Sequence, residues 1–86
     1  MKFILHSSFD KDYRKLPTEL QYKADEKLKL FDGNHLDPIL DDHPLQGKYA
    51  DCRSVNITGD FRAIYYINAN VAVFVRIGTH SQLYGK

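Results

Sequence analysis

The chain holds one cysteine, one methionine, no tryptophan and no long apolar run. A lone Cys52 cannot close an internal disulfide, and the opening MKFILHSSFDKDY has too short an apolar stretch for a signal peptide or a membrane span. A reducing cytoplasm is therefore the expected location, with no membrane partner. Four histidines and the cysteine show neither C-x-x-C nor H-x-x-x-H spacing, so no metal site and no cofactor are expected. Charge of one sign is also scarce, at a net +1. A domain that grips duplex nucleic acid by charge is usually strongly basic, which argues against DNA binding by this chain alone. Repeats and low-complexity tracts are missing as well.

What is present is the composition of an ordinary globular domain, 43% hydrophobic and 27% charged. At 86 residues, read here as one domain over 1–86, the chain supports one core of helix against sheet. Its charge is uneven: residues 1–42 carry seven Lys/Arg and nine Asp/Glu, whereas 43–86 carry five and two, so a basic second half hides behind the small net value. Residues 2–6 (KFILH) read as a first strand at a sheet edge or paired with the end of the chain. Ser7 or Ser8 caps a helix with Phe9, Tyr13 and Leu16 on one stripe, ended by Pro17. Thr18 and Gln21 form a capping-box pattern, and Leu20, Ala24, Leu28 and Phe31 recur at helical spacing until Gly33. Residues 34–47 read as a surface connection with one helical turn at Pro38–Leu40. The order strand, helix, helix, three strands gives an α+β class, two helices on a small antiparallel sheet.

Register carries the functional argument. A turn centred on Ala69 pairs Tyr65 with Val73, Ala63 with Val75 and Phe61 with Ile77 on an apolar face, and sets Arg62 opposite Arg76 on the other. A turn around Thr58, Gly59 and Asp60 adds Ile57 to the apolar face, opposite Phe61, and Asn56 opposite Arg62 on the other. Asn56, Arg62 and Arg76 thus form a row, with His80 just beyond. Like charges directly opposed cost a few tenths to roughly 1 kcal/mol, and a bound phosphate is the simplest compensation. The alternative is a solvated face on which each arginine pairs with an acid such as Asp60 or Asp41. His6 and His35 carry no functional expectation.

HPLQG at 43–47, Arg53, GDFRAIYYI at 59–67 and RIGTH…LYG at 76–85 resemble the RelE/ParE superfamily of toxin–antitoxin toxins, and most of all its YafQ-like branch. The resemblance covers the second half in order and spacing; the first half agrees in helical pattern. It implies a metal-independent endoribonuclease that cuts mRNA on the translating ribosome and is restrained by a cognate antitoxin. Carried over by position, His43, Asp60, Arg76 and His80 match active-site residues, Tyr84 stands where the branch has a phenylalanine, and Arg62 resembles an arginine of the RelE branch. Asn56 replaces a usual histidine and Ser54 a common aspartate; an asparagine hydrogen-bonds but cannot titrate near neutral pH.

RNA brings its own nucleophile, the 2′-hydroxyl, so cleavage needs a base, an acid for the departing 5′-oxygen and cations on the phosphate. The reading assigns His80 as acid, His43 or Asp60 as base, and Arg76 with Arg62 as clamps. Tyr84 stacks on a base, Asn56 bonds the RNA, and Lys48 or Arg53 contacts backbone phosphates. Arg53 falls in the core-facing set, which leaves a structural use open. Two rivals share the fold: a gyrase-inhibiting toxin of the ParE type, and a toxin-like protein-interaction module with weakened chemistry.

Overall fold

Alternating and helical apolar patterns resolve into β1 (Phe3–Leu5), α1 (Ser7–Arg14), α2 (Thr18–Asn34), β2 (His43–Pro44), β3 (Arg53–Thr58), β4 (Phe61–Asn68), β5 (Val71–Thr79) and α3 (His80–Tyr84). The computed structural model describes residues 1–85. The five strands form one sheet in the order β1-β5-β4-β3-β2. It is mixed rather than antiparallel throughout, because β1 lies parallel to β5, with Ile4 beside Val73. The expected first strand is thus both an edge and the partner of the last. The expected turn at Pro38–Leu40 is present, and it drops Leu40 fully into the core.

One face of the sheet carries Val55, Ile57, Ala63, Tyr65, Ala72, Phe74 and Ile77 against Phe9 of α1 and Ala24, Leu28 and Phe31 of α2. Phe31 is the hub of this core. Its ring meets those of Phe3, Tyr65 and Phe74 edge-on at centroid distances of 6.3, 5.0 and 5.1 Å, a preferred aromatic geometry.

Three local expectations are corrected. α1 is capped by His6, whose ring nitrogen accepts from the Ser8 amide, and not by Ser7 or Ser8. The Thr18–Gln21 box does not form; Pro17 occupies the cap and Gln21 instead donates to the Tyr13 carbonyl across the helix junction. The β4–β5 turn has two residues, Ala69 and Asn70, both at positive φ (51° and 65°), in place of a turn centred on Ala69. Left-handed conformations at both central positions suit the right-handed strand twist.

That turn shifts the register by one, so Tyr65 faces Phe74 and Tyr66 faces Val73. Val71, Val73 and Val75 leave the helix-covered face to Ala72 and Phe74. A bulge between Ile64 and Tyr65 on the ladder then shifts it again: Ile64 faces Arg76, Ala63 faces Ile77 and Arg62 faces Gly78. Between β3 and β4 the pairs Asn56–Arg62, Val55–Ala63 and Ser54–Ile64 are as expected, while a second irregularity sets Thr58, not Ile57, opposite Phe61.

β1 ends at Leu5, leaving the far half of β5 without a strand on that side. α1 takes over. Ser8 Oγ donates to the Val75 carbonyl at 2.6 Å, and Asp12 Oδ2 accepts from the Ile77 amide at 3.1 Å. Four residues of helix advance about 6.0 Å and two of strand about 6.6 Å, so side chains at i and i+4 match alternate backbone groups of an edge.

Truncating the hub tests the core. Phe31→Ala is expected to cost about 3–5 kcal/mol, read as a lowered urea midpoint with the same slope.

Candidate functional site

The second sheet face, turned away from α1 and α2, is where the expected site residues gather. Cross-strand rows can be followed over it. His43, Ser54, Ile64 and Arg76 form one row across β2, β3, β4 and β5, and Asn56, Arg62 and Gly78 form the next. Arg62 and Arg76 therefore share a face as expected but are diagonal neighbours, not an opposed pair. Gly78, with no side chain, is what Arg62 faces.

The two arginines are already engaged. Arg76 Nε donates to Asp12 Oδ2 at 2.7 Å, and Arg62 donates to the Asn56 side-chain oxygen. Asp12, with the Tyr49 hydroxyl as a smaller contributor, holds the Arg76 guanidinium above its usual range. The expected direct opposition of the two arginines is thus corrected: Arg62 faces Gly78 and has an amide partner, while Arg76 is paired with Asp12 rather than with Asp60 or Asp41.

His80 opens α3, whose start is built by its neighbours. Thr79 and Gln82 form a reciprocal capping box. A Cβ on Gly78 would lie 2.8 Å from Gln82 Oε1 and 3.3 Å from its Cβ, so glycine here lets the capping Gln82 pack directly on β5, and any side chain would have to displace it. Leu83 is thereby buried on the second face, outside the main core, as is Ile64. His80 remains exposed and lies against Tyr84 one turn on, with ring centroids 4.6 Å apart. Tyr84 in turn meets Tyr49 edge-on at 5.4 Å, and burial pushes its hydroxyl pKa up. Lys48 Nζ and Tyr49 Oη both donate to the Leu83 carbonyl, at 3.4 and 3.0 Å, clipping the end of α3. Lys48 thus has an intramolecular partner besides its expected place beside RNA.

His43 and Asp60 flank the face from different sides. Asp60 follows Gly59 in the β3–β4 turn, exposed, next to the last ladder pair Phe61–Thr79 and so at the same end as His80. His43 lies on the far edge strand, three strand spacings or about 14 Å from Arg76 along its row. Its Nδ1 is 2.7 Å from the Asp41 carbonyl. A carbonyl can only accept, so Nδ1 is the donor in this contact and Nε2 is the ring nitrogen it leaves over. Among the described residues no group of three or more His, Cys, Asp or Glu is placed to hold a metal ion, and no helix is long and apolar enough to cross a membrane.

Beneath His43 the loop is anchored by an interaction the sequence did not disclose. Asp42 Oδ1 accepts from Arg53 Nε at 2.7 Å, and its other oxygen accepts from the Tyr65 hydroxyl. Arg53 is therefore structural in this state. No spacing signal links positions 42, 53 and 65; only the ladder brings them together.

With this geometry in place, comparison with known proteins decides the family. A model of the bacterial toxin of type II toxin–antitoxin systems, YafQ, matches residues 1–85. The chain belongs to the YafQ toxin family. Over 50 residues, 58% of this chain, it is 36% identical to the mRNA interferase toxin YafQ of Escherichia coli K12, and the match spans about half (54%) of that relative's length. The crystal structure of YafQ from E. coli BL21(DE3) superposes with a TM-score of 0.81 at 25% identity, covering 98% of each chain. A chain of the E. coli DinJ–YafQ toxin–antitoxin complex gives 0.78 at 26%, covering 98% of this chain and 97% of that one. The YafQ-like architecture expected from the second half thus extends through the helical first half.

Burial, with the bond to Asp42, raises the Tyr65 hydroxyl well above its ordinary value of 10.0. A raised pKa means that the folded state keeps a proton the unfolded chain loses, so this contribution is complete below about pH 10 and falls as pH rises beyond it. Tyr65→Phe should flatten that alkaline decline in urea unfolding measured between pH 8 and 11; an unchanged slope would remove Tyr65 as its source.

Proposed function

We propose that this YafQ-family protein is a toxin that acts as a metal-independent endoribonuclease on mRNA, at the translating ribosome, under the control of a cognate antitoxin. The observation that carries the reading is the family match over residues 1–85, joined to an exposed His80 at the end of a face that also bears Arg62 and Arg76. His80 serves as the acid for the 5′-oxygen. The base comes from His43, whose Nδ1 contact with the Asp41 carbonyl leaves Nε2 for the RNA, or from Asp60, at the same end of the sheet as His80. Arg76 and Arg62 steady the charge that grows on the phosphorane. Asn56 orients Arg62 and offers its amide to the RNA, Tyr84 stacks on a base, and Lys48 contacts the backbone when the α3 clip opens.

The antitoxin reading draws on the DinJ–YafQ complex of the E. coli relative and on the basic second half of this chain. A second reading, a toxin-like interaction module with weakened chemistry, draws support from Asn56, an amide where the branch usually has a titrating histidine, here tied up with Arg62.

Primer extension on a reporter message during coupled translation tests the choice. His80→Ala and Arg76→Ala are each expected to lower cleavage by about 10² or more while antitoxin binding persists. His43→Ala and Asp60→Ala, compared side by side, identify the base by the larger loss. An intact message with the wild-type protein would turn the reading to the interaction module.

A further inference from the structure

Asp12 reaches the far half of β5 from α1, and it does two things with a single oxygen. Oδ2 accepts from the Ile77 amide at 3.1 Å and from Arg76 Nε at 2.7 Å. The first bond fixes the carboxylate to the backbone of the strand that bears Arg76; the second fixes the guanidinium to the carboxylate. Asp12 is itself held, because Ser8, one turn earlier on α1, is bonded to the Val75 carbonyl at 2.6 Å. The Asp12 side chain is only 18% exposed and that of Arg76 33%. They line, with Lys15, Leu16, Phe61 and Gln82, a cavity of about 240 Å³ between the α1–α2 junction and the start of α3. Engagement through Nε is the informative detail. Nε is the inner donor of the guanidinium, so a carboxylate bound there sets the plane of the group without occupying both outer nitrogens, which are the ones that present a fork to a phosphate.

We infer that Asp12 is a positioning residue for the proposed ribonuclease reaction: through Nε it aims the Arg76 guanidinium at the scissile phosphate. This rests on the proposed reading of the protein as a ribonuclease. A long arginine otherwise samples many rotamers, and holding it in place lowers the barrier only if the aim matches the transition state. Asp12 touches neither substrate nor the reacting atoms.

The role is separable from mere stability by kinetics and by a double-mutant cycle. Asp12→Asn keeps the shape and an oxygen for the Ile77 amide but loses the charge on Arg76; Asp12→Ala loses both. In single-turnover cleavage on programmed ribosomes, Asp12→Asn is expected to lower the maximal rate about tenfold, within the range for a misaimed group, with little change in the half-saturating concentration. In an Arg76→Ala background the same change should have no further effect. A readout that does not need activity is the Arg76 Nε–H signal in an NMR spectrum of the free protein, expected to exchange slowly with water in the wild type and fast in Asp12→Asn, with the backbone spectrum otherwise retained. The inference is overturned by an Asp12→Asn loss that persists undiminished in the Arg76→Ala background, by full activity of Asp12→Asn, or by an Arg76 Nε–H already in fast exchange in the wild type. A wild-type protein that cleaves nothing on ribosomes while showing the protected Nε–H overturns the ribonuclease reading and this role with it, and leaves the Asp12–Arg76 contact as structure.

Discussion

Much of this fold hangs on how the open edge of β5 is closed. β1 is only Phe3–Leu5 and covers the first half of its parallel partner. An exposed run of unpaired amides and carbonyls is a template for unwanted pairing, and α1 removes it with Ser8 and Asp12 in place of a strand. This works because four helical residues nearly match two extended ones in length. It also fixes where α1 lies, hence where Phe9 enters the core and where the chain turns at Pro17 toward α2. The bulge that shifts the β4–β5 ladder falls where the covering element changes from β1 to α1.

The same edge links scaffold to site. Because Asp12 is spent on the Ile77 amide, its charge is delivered next to Arg76 at no further cost in ordering. An isolated surface ion pair is worth little, but this one is half-buried and shares its carboxylate with the backbone. On the opposite rim, Asp42 plays a parallel part for β2, binding Arg53 and the Tyr65 hydroxyl and so holding the segment that presents His43. Two acidic residues from the acidic half of the chain each neutralise an arginine of the basic half. The charge asymmetry seen along the sequence is thus partly resolved by contact between the halves.

How much was legible in the sequence follows from which features leave a periodic trace. The two helices α1 and α2 and the three long strands all do, while the Pro38–Leu40 turn is legible from its proline and flanking aspartates. The β3–β4 pairs Asn56–Arg62 and Ser54–Ile64 were legible because Gly59 marks the turn. β4–β5 was misread by one residue at the turn, since Asn-Ala-Asn does not reveal whether two or three residues span it. The bulge then added a second shift. Two single-residue shifts restore the original alternation, so Arg62 and Arg76 share a face although their expected pairing was wrong, and His80 follows from the start of α3 rather than from strand alternation. Asp12 and Asp42 could not be found this way: the partners of Asp12 are 64 and 65 residues distant, and no spacing rule connects an acid on a helix to a strand edge that the helix happens to cap. β2 and α3 were missed because two- and five-residue elements are too short to show a period.

Gly78 serves both the sheet and α3. It faces Arg62 across the ladder, so the guanidinium has no side chain above it on β5, and it leaves room for Gln82 at contact distance, so α3 can reverse onto the sheet directly after Thr79. The space a Cβ would take is filled by Gln82 and Leu83 of α3, and the close approach sets His80 at the first turn of that helix. A side chain here would first displace Gln82 Oε1, the oxygen that accepts from the Thr79 amide in the capping box at the start of the helix bearing His80 and Tyr84. The R-x-G-T-H segment is thus a physical unit: Arg76 set by Asp12, Gly78 permitting the reversal, Thr79 capping the helix, and His80 exposed at its first turn.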